Sequence, residues 1–286
     1  MIESKPMTDL ERLTPKQFEL FQSFIYQRSG IKLEISKITL VSNRIRRRLK
    51  AGNFQDFDAY YRFLTSRAGT GELSAFLDAI TTNETFFFRT QSHFDWLKNE
   101  YLPELARAKS DGKRTASVRF WSAACSSGEE PYSIAMCLAE SSVLLRGWDV
   151  QILGTDLSES ALTAAREGVY KRRAMQEMDA ARIRRHFSEE ADELFRLKAS
   201  VAQMVQFKHH NLLRPLNEPP FDCIWIRNVL IYFDRESKAK VVEHLVQSLV
   251  PGGYLVVGPS EGLYDMLTML QKRTPFLYQK PKKDAS

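Results

Sequence analysis

Strand-like and helical segments alternate along the chain from about residue 118 onward. Short runs rich in β-branched and aromatic residues are separated by amphipathic stretches of helical length. This order predicts a doubly wound, mostly parallel α/β sheet. We expect strands at 118–121, 150–154, 204–207, 221–226 and 253–257, with a closing strand at 276–278. The segment at approximately 170–203 breaks the alternation, and we interpret it as an inserted subdomain.

The earlier part of the chain is patterned as a series of short helices. Thr14 is followed by proline and then by Gln17, which is the pattern of a capped helix start, and Gly30 can end that helix. The apolar residues that follow recur at helical spacings of three and four. We therefore divide the chain into a small helical domain at 1–90 and an α/β domain at 91–286.

A second helix, expected from about Ser36 to Ala51, has one strongly basic face. That face carries four cations and the helix has no acidic residue: Arg44, Arg47, Arg48 and Lys50. The whole chain has a net charge of +6, which favours an acidic partner without saying which one. A helix face that merely meets solvent is the alternative interpretation.

Composition limits the class of protein. With 43% hydrophobic and 27% charged residues the chain is typical of a globular protein. No apolar run approaches the roughly 18 residues that span a bilayer, and the charged start does not resemble a secretory signal, so we expect a cytoplasmic protein. Cys125, Cys137 and Cys223 are too far apart for a CxxC site, and the histidines form no ligand set, so we expect no metal.

A loop and an acid follow the first two predicted strands. The loop from Ala123 to Tyr132 has small residues and one glycine, Gly128, so its backbone can approach a ligand closely. Asp156 ends the next strand, where a carboxylate can accept hydrogen bonds from the ribose hydroxyls of a nucleoside cofactor. Alternatively the loop is only a tight turn and Asp156 only caps a helix, although Ser158 can also cap it.

Several longer motifs resemble the chemotaxis receptor methyltransferases, the CheR family, along nearly the whole chain. The motifs occur in this order: Thr82 to Arg89, Ser127 to Ala135, Gly154 to Asp156, Phe207 to Leu213, Arg227 to Phe233, Gly252 to Tyr254 and Gly258 to Glu261. A set of ordered motifs is far more specific than any one of them. The resemblance implies a class I S-adenosylmethionine methyltransferase domain, a helical recognition domain before it, and a small inserted β-subdomain.

The resemblance also implies positions for the cofactor and for the transferred methyl group. The residues similar to the family's S-adenosylmethionine contacts are Asn83, Thr85, Arg89, Glu129, Asp156, Asn211, Leu212, Asn228 and Val229. Arg89 and Tyr232 are similar to the pair beside the methyl group, and the implied substrate is a glutamate side chain of a chemoreceptor. A structural ion pair for Arg89 and a packed aromatic role for Tyr232 remain the alternatives.

This chemistry agrees with the residue types. A glutamate carboxylate, with a free pKa of about 4.3, is already ionised at neutral pH and needs no general base. The sulfonium of the cofactor already activates its methyl group. We therefore expect Arg89 and Tyr232 to orient the carboxylate, and not to transfer a proton.

The resemblance further implies how the substrate is recruited. The basic residues Arg44, Arg47, Arg48 and Lys50 would meet the acidic methylation helices of receptors. Family members that bind a receptor-tail peptide have a glycine in a loop of the inserted subdomain, whereas Ser188 to Leu194 has none. We expect an enzyme that does not need that peptide, that is a monomer, and that is recruited to membrane receptor arrays.

Two other functions agree with parts of the sequence. A nucleic-acid methyltransferase is suggested by the basic charge and by Asn217 to Phe221, but there the prolines precede the strand and a glutamate interrupts the motif. A protein that binds the cofactor without turnover is disfavoured by Arg89 and Tyr232. We expect no nucleic-acid partner.

Overall fold

Four helices form the amino-terminal part of the protein in the computed structural model, which describes residues 12–81 and 83–282. Thr82 and the two chain ends lie outside the described residues. Thr82 begins the first family motif, and the chain ends belong to the two predicted domains. The helices are α1 (Pro15–Ser29), α2 (Ile38–Ala51), α3 (Phe57–Thr65) and α4 (Glu72–Ile80). Short 3-10 turns precede α2 and α4, at Ile35–Lys37 and Ala68–Gly71. Their apolar faces meet in one core that includes the buried rings of Phe21, Tyr60 and Phe76.

The first helix begins and ends as its sequence predicts. The Thr14 hydroxyl accepts from the Gln17 amide at 3.3 Å, and the Gln17 side chain accepts from the Thr14 amide at 3.0 Å. Gly30 ends the helix with a left-handed φ of 73°. The predicted capping residues are therefore confirmed at both ends.

Helix α3 was not predicted from the sequence, although its start and its apolar spacing follow ordinary patterns. Asp56 caps its start by accepting from the Ala59 amide at 2.7 Å. Phe57, Tyr60 and Leu64 then bury one face at spacings of three and four. The spacing that identified α2 was present here too, over a shorter stretch.

A seven-stranded sheet forms the second part of the protein. The strands are β1 (Ser117–Ala123), β2 (Asp149–Asp156), β6 (Val205–His209), β7 (Phe221–Ile226), β8 (Leu249–Val257), β9 (Gln271–Thr274) and β10 (Leu277–Gln279). Their order is β6-β2-β1-β7-β8-β10-β9. The first five of these neighbours are parallel, and the last two strands are antiparallel additions. The predicted doubly wound, mostly parallel sheet is confirmed, and β9 is a strand that the sequence analysis did not expect.

Helices cover both faces of this sheet, each over its own apolar core. They are α5 (Gln91–Trp96), α6 (Leu102–Ser110), α7 (Glu129–Glu140), α8 (Glu159–Glu167) and α11 (Arg235–Gln247). A turn of π-helix, Leu97–Tyr101, joins α5 to α6. Across the described ranges, no helix is both long and apolar enough to cross a membrane.

A small antiparallel sheet lies between α8 and β6 along the chain. It contains β3 (Val169–Lys171), β4 (Phe187–Glu189) and β5 (Leu194–Leu197) in the order β3-β5-β4, with the short helices α9 (Ala180–His186) and α10 (Ala199–Ala202). Arg182 fixes this unit to α7 through a bidentate ion pair with Glu140, both bonds being 2.8 Å long. The loop between β4 and β5 has left-handed φ values of 60° at Asp192 and 58° at Glu193.

Candidate functional site

A cavity of about 490 Å³ lies at the carboxyl ends of β1, β2 and β7, between the sheet and the helical part. Parallel α/β sheets bind ligands at this edge, and the volume is in the range of small-molecule sites. Both parts of the protein supply its walls. The cavity is thus shared, and the contacts between the two parts determine its shape.

The β1–α7 loop forms the floor of the cavity in a tightly folded conformation. Ala124, Ser126 and Gly128 all have left-handed φ values, of 63°, 50° and 92°. A Cβ on Gly128 would lie 2.9 Å from the Cβ of Ala165, so α8 packs too closely for any other residue. Gly128 is therefore needed for the packing of α8 against this loop, whether or not the loop also contacts a ligand.

Asp156 organises this loop and faces the cavity. Its Oδ2 accepts from the Ser126 amide at 2.8 Å, and its Oδ1 accepts from the Ser158 amide at 2.9 Å. The side chain of Ser158, not that of Asp156, caps α8 by accepting from the Ala161 amide at 3.1 Å. Burial raises the pKa of Asp156 above its usual range, against the effect of the two amides. Each oxygen keeps a lone pair for a further donor, as a ribose would require.

The two adjacent glutamates of α7 lie in different surroundings. Glu129 is 4% exposed and does not line the cavity; its carboxylate accepts from the Ser127 hydroxyl at 2.8 Å. Burial raises the pKa of Glu129 to about 7. Glu130 does line the cavity, and it accepts from Arg227 at 3.0 Å. Of the two glutamates only Glu129 was predicted to contact the cofactor, and that contact stays a prediction.

Arg89 lies half-buried in the cavity wall. Thr85 also lines the cavity and is half-buried, whereas Asn83 lines it at an exposed position. The Arg89 guanidinium donates to the carbonyl oxygen of Glu84 at 3.2 Å and lies over the ring of Phe86. Within the described residues it forms no ion pair with a carboxylate. The alternative of a structural ion pair thus finds no support in that part of the chain, and the charge is available to a ligand.

Tyr232 is 36% exposed and also lines the cavity. It ends the 3-10 turn Leu230–Tyr232 that follows β7. A packed aromatic would be covered by its neighbours, so the exposure favours the functional interpretation of this side chain. The neighbouring Asn228 and Val229 line the cavity as well, and Asn228 has a left-handed φ of 59°.

Asn211 and Leu212 lie in the cavity wall after β6. The Asn211 amide donates to the carbonyl oxygen of Arg28 at 2.7 Å, and its Oδ1 accepts from the Leu213 amide at 3.0 Å. The Asn211 side chain thus joins α1 to the sheet. A cofactor contact by Asn211 and Leu212 stays a prediction.

The four cations of the predicted basic face of α2, namely Arg44, Arg47, Arg48 and Lys50, do not share one environment. Arg44 lines the cavity and donates to the carbonyl oxygens of Ile80 and Thr81, the latter at 3.1 Å. Burial, assisted by the charge of Arg47, lowers the pKa of Arg44. This residue therefore contributes to the cavity as well as to the helix surface.

Arg48 forms an ion pair that the sequence pattern did not predict. Its guanidinium forms two bonds to Glu72 of α4, at 2.7 and 2.8 Å. Arg47 and Lys50 are exposed. The basic face of α2 therefore offers fewer unpaired charges to a partner than the sequence indicates, because Arg48 is already paired with Glu72.

The three cysteines are free and buried. In the part of the chain that the structure describes, no cluster of histidine, cysteine or acidic side chains could hold a metal ion.

Comparison with known proteins agrees with the site. The family model "CheR methyltransferase, SAM binding domain" matches residues 83–275, and "CheR methyltransferase, all-alpha domain" matches residues 16–81. Chemotaxis protein methyltransferase 1 of Pseudomonas aeruginosa is 39% identical over 255 residues, which cover 87% of this chain and 91% of the relative. The chemotaxis protein methyltransferase of Borreliella burgdorferi is 36% identical over 253 residues, which cover 87% and 89%.

Solved structures add less. The N-methyltransferase NodS from Bradyrhizobium japonicum, in complex with S-adenosyl-l-homocysteine, is 17% identical with a TM-score of 0.34, covering 66% of this chain and 88% of that one. A likeness of that size carries no argument of its own. The two family models together account for the helical part and the sheet, and the relatives match over most of their length. The chain therefore belongs to the CheR methyltransferase family and is an S-adenosylmethionine-dependent methyltransferase.

Proposed function

We propose that the protein transfers a methyl group from S-adenosylmethionine to glutamate carboxylates of chemoreceptors, giving glutamate methyl esters in chemosensory adaptation. The observation that carries the proposal is that Arg89 and Tyr232 line one cavity with Asp156. Arg89 has no carboxylate partner among the described side chains, and Tyr232 is partly exposed. A cation and a hydroxyl beside a nucleoside site suit an anionic acceptor.

The cofactor would be held by residues on both sides of the cavity. Asp156 would accept from the ribose hydroxyls, while Leu212, Asn228 and Val229 would contact the adenine. Asn83 and Thr85 would complete the site from the segment that follows α4. S-adenosylmethionine supplies a methyl group already activated by its sulfonium charge.

The acceptor needs orientation more than activation. A glutamate carboxylate is ionised at neutral pH, so no residue has to remove a proton from it. Arg89 would hold one carboxylate oxygen through its planar guanidinium, and the Tyr232 hydroxyl would direct the other. Correct positioning of two reactants can supply about 7–11 kcal/mol of the barrier.

The receptor helix would approach across α2. Arg47 and Lys50 are exposed there, and Arg44 lies between that surface and the cavity. Acidic side chains on either side of the target glutamate would find these cations first. Arg48 would act indirectly, because Glu72 already engages its guanidinium.

We also propose that no receptor-tail peptide is required. The loop between β4 and β5 has no glycine, and Asp192 and Glu193 adopt left-handed φ values there at a conformational cost. Glu189 adds negative charge beside it, whereas the charge of Glu190 is paired with Arg196. A loop with this composition differs from the glycine-containing loop of peptide-binding relatives.

Methyl transfer from radiolabelled S-adenosylmethionine to receptor-containing membranes tests the proposal. We expect label that leaves as methanol in mild base, and that is absent with Arg89→Ala. Receptors with and without the last residues of their tails should be labelled at equal rates. Base-stable label would contradict the glutamate acceptor, and a rate that depends on the tail would contradict peptide independence.

A further inference from the structure

The turn after β8 contains a buried glutamate that has no assigned role. Glu261 is 1% exposed, and both of its carboxylate oxygens point to the loop that follows β7. Oε1 accepts from the amide of Asn228, and Oε2 accepts from the amide of Leu230 at 2.8 Å. One side chain therefore satisfies two amides of a loop on the neighbouring strand.

That loop is the part of the cavity wall that carries Asn228, Val229 and Tyr232. Asn228 has a left-handed φ of 59°, a conformation that asparagine tolerates better than most residues but that still needs its backbone groups to be satisfied. Without Glu261 the two amides would lose their partners in a buried place. The carboxylate thus supports this conformation at the point where the chain turns toward the cavity.

The surrounding structure leaves room for this carboxylate and fixes its backbone. A Cβ on Gly258 would lie 2.6 Å from Oε1 of Glu261, so any side chain there would displace the acid. Lys238 of α11 donates to the carbonyl oxygen of Glu261 at 2.7 Å. The Gly258 amide donates to the carbonyl oxygen of Ile226 at 3.2 Å, which joins the ends of β8 and β7.

We propose that Glu261 is a positioning residue that sets the conformation of the Asn228–Tyr232 loop for cofactor binding and for the orientation of the acceptor. It touches neither ligand and acts through the backbone of the loop. The inference rests on the proposed placement of the cofactor in the cavity, and it is independent of the identity of the acceptor.

Glu261→Gln tests the proposal with little change in shape. The oxygen of its side-chain amide can accept from one backbone N–H, but its NH2 group faces the other N–H and cannot accept from it. The loop therefore loses one charge-assisted hydrogen bond. We expect the affinity for S-adenosylhomocysteine, measured by calorimetry, to fall about tenfold. The kcat for methyl transfer should fall as well, because Tyr232 is displaced with the loop. Ser260→Ala, at the exposed adjacent position, is the matched control and should change neither quantity.

Gly258→Ala should also break the contact between Glu261 and the loop. The added Cβ would displace the Glu261 carboxylate, while the glutamate itself is retained. The variant should reproduce the loss of affinity while circular dichroism shows an unchanged fold. Asp156→Asn, measured in parallel, reports on the cavity itself. Loss of affinity in Asp156→Asn with wild-type affinity and kcat in Glu261→Gln would overturn the positioning role alone. Unchanged affinity in Asp156→Asn would contradict the placement of the cofactor.

Discussion

The backbone amide of Lys32 donates a hydrogen bond of 2.8 Å to the carbonyl oxygen of Tyr232. Beside it, Ile31 and Phe233 form an isolated antiparallel bridge. The segment after α1 therefore pairs directly with the residue that we expect to orient the acceptor. A change in how the helical part sits on the sheet must also change the position of Tyr232.

Tyr26→Phe should weaken this connection. The Tyr26 hydroxyl donates to Oδ2 of Asp234 at 2.8 Å, two residues beyond Tyr232. We expect the free energy of unfolding to fall by about 1 kcal/mol and kcat to fall severalfold. Urea unfolding and methyl-transfer kinetics measure the two effects. Tyr264→Phe, which removes an exposed hydroxyl, is the control and should change neither quantity.

Tyr232→Phe separates orientation of the acceptor from binding of the cofactor. It removes one hydroxyl and keeps the ring, so kcat should fall about tenfold. Affinity for S-adenosylhomocysteine should remain as in the wild type, because the backbone of the loop is unchanged. Equal losses in kcat and in cofactor affinity would assign Tyr232 to the cofactor instead.

The two kinds of cation on α2 should respond differently to mutation. Replacing exposed Arg47 and Lys50 by alanine should raise the KM for receptor membranes and reduce the dependence of that KM on salt, since such contacts are screened within about 10 Å at 0.1 M. Cofactor affinity should not change. If KM and its salt dependence match those of the wild type, the receptor does not approach across α2.

Arg48→Ala should act on stability instead. It leaves Glu72 without its bidentate partner, so unfolding should require about 1 kcal/mol less free energy. The KM for receptor membranes should change far less than in the double variant. A large change in KM with unaltered stability would show that Arg48 exchanges Glu72 for the receptor.

Glu129 should make stability depend on pH around neutrality. Burial raises its pKa to about 7 in the folded protein, so between its unfolded pKa of about 4.5 and 7 the folded state keeps a proton that the unfolded state loses. That contribution is complete below pH 4.5 and is lost as the pH rises through 7. From pH 6 to pH 8 the loss should be about 1 kcal/mol.

Glu129→Gln removes the titrating group and keeps the shape. Urea unfolding at pH 6, 7 and 8 should give a smaller decline for the variant than for the wild type. Parallel declines would mean that Glu129 does not titrate in this interval. A loss of cofactor affinity in the same variant would support the cofactor contact predicted from the family motif.

The regular elements of the sheet could be predicted because burial dictates their residues. β7 has the predicted bounds, and apart from Asp222 its residues are apolar and buried, as a central parallel strand requires. β9 was missed because its four residues, Gln271–Thr274, are polar and lie at an edge of the sheet. No apolar pattern distinguishes such a strand from a loop.

In the candidate site, residues within motifs could be predicted, whereas contacts between residues far apart in the sequence could not. Motifs identified Asp156 and Tyr232, and both line the cavity. The pairing of Arg48 with Glu72 and the contact of Glu261 with Asn228 join residues that are far apart in sequence. Such pairs depend on which helices, strands and loops become neighbours in the fold. Local patterns of spacing and residue type do not show which elements these are.

The shared wall of the cavity has a consequence for the protein in the cell. A ligand that contacts both parts favours the state in which they are docked, and a concentration one hundred times the dissociation constant adds about 2.7 kcal/mol of stability. The metabolic supply of S-adenosylmethionine would then regulate the protein twice, as the methyl donor and as protection against proteolysis.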